Sequence, residues 1–155
     1  MQDYNKALNY SYLLLKYRLR SRHEIIERLG KKNYPSSIID KVLSSLENDN
    51  YINDEEFSRL FVSSCRAKGW GRKKIDYALK RLGVAENYRR EALKDKQVFK
   101  EELKELIAKK LPRYKQGKNA YQRMIKYLAA RGFDYSDIIK ELENLDFTRF
   151  DNYSD

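Results

Sequence analysis

The apolar positions of this chain recur in one pattern at intervals of about fifty residues. In each copy an apolar residue is followed by Leu four positions later, by Asn or Gly after four more, and at once by another apolar residue. A further Leu comes nine or ten positions on. The copies are Ile25, Leu29, Asn33, Tyr34 and Leu43; Ile75, Leu79, Gly83, Val84 and Leu93; and Met124, Leu128, Gly132, Phe133 and Leu142. The pattern predicts a tandem array of one helical unit.

The spacing within each copy predicts a helix and its end. Two apolar residues four positions apart lie on one face of a helix. Asn and Gly tolerate the left-handed backbone that ends many helices, and the apolar residue after them completes a Schellman-type stop. Each copy reads as three helices, so we expect nine helices and no strand.

Helix-start signals support this division. Ser21 and Glu24 have the spacing of a capping box, and Pro35 suits the first turn of the third helix. Asn53 is a good N-cap before the acidic start of the second copy. We therefore predict an all-α protein of three tandem three-helix repeats, stacked into an elongated, curved body. The expected boundaries are 1–52, 53–96 and 97–146, with an acidic C-terminal tail at 147–155.

Charge is unevenly distributed along the chain, whose formal net charge is +10. Residues 1–131 hold 31 Lys and Arg against 16 acidic residues, whereas residues 132–155 hold two against seven. A basic body with an acidic tail favours a polyanionic partner, either nucleic acid or an acidic protein surface. The alternative is a well-solvated helical surface that is merely rich in Lys.

The positive charge follows the repeat, because it concentrates where the first helix of each copy turns into the second. We call these segments the first, second and third basic corners. Regular stacking would align them along one edge, as suits a phosphate backbone. Gly69 and Gly71 would let backbone amides approach a phosphate. The candidate residues are Arg18, Arg20 and Arg22; Arg66, Lys68, Trp70, Arg72, Lys73 and Lys74; and Lys115 and Lys118.

The aromatic residues have structural and functional interpretations. Trp70, the only Trp, could stack on a base or insert into a partner's groove, or simply fill the elbow between two helices. Most Tyr residues have helical spacing and are better interpreted as core residues with a wet hydroxyl. Examples are Tyr10, Tyr77, Tyr88 and Tyr127.

Little in the sequence supports catalysis, so neither an enzyme nor a cofactor is expected. One His (His23) and one Cys (Cys65) cannot form a zinc site of the usual kind, and no Walker-type loop is present. Cations near Cys65 could lower its pKa, although such a residue is more often small, apolar and half-buried. The acidic run 54–56 is explained by the helix start rather than by a nuclease site.

The cellular compartment and the oligomeric state are inferred from features that the sequence lacks. No apolar run approaches the roughly 20 residues of a membrane span, and residues 1–9 lack the apolar core of a signal peptide. A lone Cys cannot form an internal disulfide. We therefore expect a cytoplasmic protein without membrane contact, and a monomer, since the repeats satisfy one another.

Several spaced motifs taken together resemble the RecX regulatory proteins. The resemblance covers nearly the whole chain, most closely about residues 7–83. Asn33 departs from the Gly common in the family, and the third repeat is diverged at 117–120. The motifs are Arg18-x-Arg20-Ser21-x-x-Glu24-Ile25, Asn33-Tyr34, Ile39-x-x-Val42-Leu43-x-x-Leu46, Tyr51-Ile52-Asn53-Asp54-x-x-Phe57 and Arg66-x-Lys68-Gly69-Trp70-Gly71 with Ile75 and Leu79.

The resemblance implies a non-enzymatic modulator of the RecA recombinase. Such proteins bind RecA filaments on DNA and usually limit filament growth, which suppresses ATP hydrolysis, strand exchange and co-protease activity. It implies direct, weak or salt-dependent binding to DNA, and a role in homologous recombination, DNA repair and the SOS response. One alternative is a free-standing basic helical nucleic-acid-binding protein. Another, a helix-turn-helix regulator, is disfavoured because one recognition helix needs no threefold array.

Overall fold

A computed structural model of the protein describes residues 1–115 and 117–147. Within these residues the chain forms nine α-helices and no strand, which confirms the all-α fold of three-helix repeats. The helices are α1 (Gln2–Tyr17), α2 (Arg22–Gly30) and α3 (Ser36–Asn48); α4 (Asp54–Ala67), α5 (Arg72–Arg81) and α6 (Glu86–Ala92); and α7 (Lys96–Tyr114), α8 (Ala120–Ala130) and α9 (Tyr135–Asn144).

The repeated apolar positions form the core. The first two of each copy are fully buried, and the Leu that closes each copy is at most 2% exposed. One tyrosine prediction is wrong, because Tyr77 is 63% exposed. It lies two positions from each residue of the buried pair of α5, Ile75 and Leu79, and two positions are about half a turn of helix, so its side chain points away from the core.

The helix stops have the predicted geometry. Asn33, Gly83 and Gly132 have φ values of 61°, 72° and 88°. In each case the next residue donates its backbone amide to the repeat's Leu four positions before the stop, over 3.1 to 3.3 Å. These hydrogen bonds close the Schellman motif, so the predicted geometry of the helix ends is confirmed. The predicted capping box of Ser21 and Glu24 is present, whereas Pro35 is the N-cap of α3 rather than a first-turn residue.

The helices gather into two compact units. The first comprises Met1–Phe61 and Ala78–Ala92, and the second comprises Val62–Tyr77 and the described residues from Leu93 onward. The middle repeat thus contributes to both units. The predicted repeat boundaries stay predictions. Most of the predicted acidic tail lies outside the described residues, and its first residue, Phe147, is buried beside Tyr121.

Within each unit, the second helix of one repeat begins against the turn that ends the second helix of the next repeat. In the first unit the Ser21 hydroxyl donates to the Leu82 carbonyl over 2.6 Å. In the second unit the Gly71 and Lys73 amides donate to the carbonyls of Arg131 and Gly132, over 2.6 and 3.0 Å. The same joint therefore occurs twice, and it brings the basic corners next to left-handed glycine turns.

Among the described residues, no helix combines the length and the apolar character that crossing a membrane requires.

Candidate nucleic-acid interface

The first basic corner is built around a buried carboxylate. Glu24 is 8% exposed and accepts the Ser21 backbone amide over 3.0 Å. The guanidiniums of Arg18 and Arg20 both pair with it. Burial, followed by repulsion from Arg18, lowers the pKa of Arg20. The Arg20 side chain is only 10% exposed, so it holds the corner together, while half-exposed Arg18 faces solvent.

Arg22 joins three helices of the first unit. Its backbone amide donates to the Asp54 carboxylate over 2.8 Å, and its Nε donates to Glu47 over 2.7 Å. Burial raises the pKa of Asp54, against the lowering effect of the hydrogen bond from Arg22. The predicted helix-start role of Asp54 therefore extends to tying α4 to α2. A polyanion at Arg22 would have to compete with Glu47.

The backbone of the second corner is used inside the fold. The Gly71 amide donates to Arg131, and the Gly69 amide donates to the Arg66 carbonyl over 2.8 Å. A side chain at Gly71 would lie 2.4 Å from the Gly132 carbonyl carbon. The expectation that these two glycines free their amides for a phosphate is therefore wrong: they permit close backbone packing and a left-handed turn.

Most cations of the second corner have partners within the second unit. Arg66 donates to Glu102 over 2.7 and 2.9 Å, and the Lys73 Nζ lies 2.8 Å from Asp134. Arg72 donates to the Leu93 carbonyl over 3.2 Å. The Lys74 Nζ lies 4.3 Å from the centre of the half-buried Trp70 ring, so this ring fills the elbow and supports a cation. Lys68 is exposed.

The third corner lies at the opposite end of α8 from the second. Lys115 and Lys118 are exposed, just before α8 begins, and the Lys115 Nζ lies 5.9 Å from the Phe147 ring centre. The second corner instead contacts Arg131, directly after α8 ends. Eleven helical residues separate the two ends, about 16 Å at 1.5 Å per residue. The alignment of all three corners stays a prediction.

A basic groove in the second unit was not anticipated from the sequence. Its volume is about 400 Å³. Two acidic residues, Glu102 and Glu105, and the ring of Tyr127 also line it. Five cations define this basic groove: Arg66, Lys68, Lys109, Lys110 and Arg131.

Three of these cations were missed because they lie outside the basic corners. Lys109 and Lys110 belong to α7, and Arg131 follows α8. The Arg131 Nη1 donates to the Lys68 carbonyl over 2.7 Å, which fixes the guanidinium at the groove. The adjacent Lys pair was the available signal, but a helical Lys pair usually marks only a solvated face. The Lys pair becomes part of a site only because the fold brings Lys68 into the same groove.

Cys65 is a small buried residue, as the sequence favoured over a reactive thiol, and it is more deeply buried than expected. The side chain is 3% exposed, and burial raises the pKa of its thiol despite the opposing effects of Lys68 and Lys74. Desolvation of the thiolate therefore outweighs the attraction of the cations.

We expect Cys65 to be protected from alkylation in the folded protein. Iodoacetamide at pH 8 should label it at least about tenfold more slowly than in 6 M guanidinium, because the thiolate is the nucleophile. The raised pKa makes the thiol favour the folded state below its ordinary value of 9.0. That contribution is lost as pH rises through the higher folded pKa. Equal labelling rates by mass spectrometry would contradict this prediction.

In the part of the chain that the structure describes, no group of three or more His, Cys, Asp or Glu residues is placed to hold a metal ion. The geometry thus defines a class of protein: an all-helical array of three-helix units whose distinctive surface is cationic.

Comparisons with known proteins identify the family. The first, second and third three-helix domains of RecX match residues 4–46, 53–93 and 100–140. The regulatory protein RecX of Chlorobium phaeobacteroides is 34% identical over 146 residues, covering 92% of this chain and 95% of that protein. That of Haemophilus influenzae is 31% identical over 140 residues, covering 86% and 92%. The chain belongs to the RecX family, which confirms the resemblance.

A solved structure supports the fold. The crystal structure of RecX from Lactobacillus salivarius matches with a TM-score of 0.83 at 24% identity, covering 95% of this chain and 99% of that one.

Proposed function

We propose that this chain is a non-enzymatic regulator that binds RecA filaments on DNA and limits their growth. ATP hydrolysis, strand exchange and co-protease activity would fall with it. Membership of the RecX family across all three repeats carries the proposal, since the relatives are named regulatory proteins.

The physical properties of the chain support binding to a regular polymer. Its net charge of +10 suits the phosphate backbone and the acidic surfaces of a nucleoprotein filament. Three repeats can offer several modest contacts at once, and such contacts combine when the partner also repeats. We propose that the chain acts as a cytoplasmic monomer and that the exposed cations of the three corners take part.

The experiment is a titration of the chain into RecA that is hydrolysing ATP on single-stranded DNA. We expect a steep loss of hydrolysis at few copies per filament, because a filament-bound regulator affects many protomers. A loss only when the chain rivals the concentration of DNA sites would mean simple competition for DNA, and would overturn the proposal.

That second outcome would favour the free-standing nucleic-acid-binding protein. The observation that favours this alternative is the basic groove, whose cations need no recombinase to attract a phosphate. It predicts strong binding to DNA alone that falls steeply with salt.

A further inference from the structure

We infer that the basic groove of the second unit is a binding site for the backbone of single-stranded nucleic acid, with Tyr127 as a platform for a base. The inference deepens the proposed function and rests on it for the biological source of the strand. Its test needs no RecA, so the two can fail separately.

The side chains that line the groove carry an excess of positive charge. Five cations line it against two carboxylates, and one carboxylate, Glu102, is paired with Arg66. The remaining four cations face a single acidic residue, Glu105. Such an excess attracts a polyanion rather than a neutral ligand.

One cation of the groove is held in place by the fold. Arg131 is anchored to the Lys68 carbonyl, and its guanidinium carbon lies 5.2 Å from the centre of the Tyr127 ring. The Lys110 Nζ lies 5.8 Å from the same centre. A fixed guanidinium binds a phosphate with little loss of side-chain entropy. The exposed Lys109 side chain can move to bind the neighbouring phosphate of the strand.

The aromatic ring in the groove favours a single strand over a duplex. Proteins that bind single strands combine a cationic groove with aromatic rings on which bases stack. The groove has both features, and its volume of about 400 Å³ suits a ligand of one or two nucleotides. A duplex keeps its bases stacked and paired, so it could offer such a groove only its phosphates.

The test is a double charge reversal, Lys109→Glu with Lys110→Glu. Binding of a fluorescent oligo(dT) to the full chain would be followed by anisotropy between 50 and 200 mM salt. We expect about tenfold weaker binding at low salt. The slope of log affinity against log salt should fall by about 1.4, since each lost single-strand phosphate contact contributes about 0.7.

The chain offers a matched control in Lys31→Glu with Lys32→Glu. This adjacent pair also has one Lys over a tyrosine ring, with the Lys32 Nζ 5.5 Å from the centre of Tyr10, and it lies in the first unit. Both double variants change the net charge equally. We expect the control to bind oligo(dT) nearly as well as the unaltered chain.

Tyr127→Leu tests the platform, since Leu keeps apolar bulk without a ring. We expect fivefold to tenfold weaker oligo(dT) binding with unchanged helicity by circular dichroism. Unchanged affinity in the groove variant, or an equal loss in the control, would overturn the inference. So would retained oligo(dT) binding with lost RecA binding, which would assign the groove to a protein surface.

Discussion

Gly132→Ala is expected to lower the free energy of unfolding by about 3 kcal/mol or more. At φ 88° any side chain is strained, by roughly 1–2 kcal/mol. A Cβ there would also lie 2.4 Å from the Lys74 amide nitrogen and Cβ. Overpacking of this kind costs typically 1–3 kcal/mol, and these neighbours cannot rotate away. The joint between the second and third repeats would open.

Urea unfolding followed by circular dichroism measures this effect. The control is Gly30→Ala, at the last residue of α2, where a Cβ would meet nothing within 4 Å. Because Ala suits a helix better than Gly, we expect the control to stabilise the protein by up to about 1 kcal/mol. A Gly132→Ala variant as stable as the control would show that the joint is loose.

The sequence predicted the features of this turn that depend on neighbouring residues. Helical spacing, the left-handed residue and the apolar stop all act within one turn of chain, so the repeated pattern predicted the buried Leu128 and the backbone of Gly132. It did not predict the packing against Lys74, which lies in the preceding repeat. Only the assembled fold shows that Gly132 serves the joint as well as the helix end.

Asn33 also separates what the local backbone requires from what packing requires. Its φ of 61° is as left-handed as that of Gly83, where a Cβ would lie 2.3 Å from His23. Asn33 itself is exposed. The backbone alone permits Asn or Gly at this point of a repeat, whereas a neighbouring helix permits only Gly. The departure from the family pattern is therefore explained by packing.

The sequence predicted which residues of the candidate interface are cationic, but not which of those cations are left unpaired for a ligand. Sequence counting found the cations of the corners, yet the carboxylates that engage them lie elsewhere in the chain, as with Arg66 and Glu102, 36 positions apart. The groove needed the fold for the same reason, since Lys68 and Arg131 meet across 63 positions.

Glu24→Ala is expected to lower the free energy of unfolding by about 3–4 kcal/mol. The carboxylate completes the capping box with Ser21 and pairs with two guanidiniums. Its removal leaves Arg20, whose side chain is 10% exposed, as a largely buried cation without its counter-ion. Breaking a buried pair from one side typically costs 3–5 kcal/mol, and the half-exposed Arg18 contributes less.

Two further variants separate the cap from the charge. Glu24→Gln keeps an oxygen for the Ser21 amide but no charge, so we expect a smaller loss, about 2 kcal/mol. Glu27→Ala removes an exposed carboxylate 3.8 Å from His23 and should cost less than about 0.5 kcal/mol. Urea unfolding with an unchanged m-value would measure all three. If Glu24→Ala were no worse than Glu27→Ala, the stability of the first corner would not depend on this carboxylate.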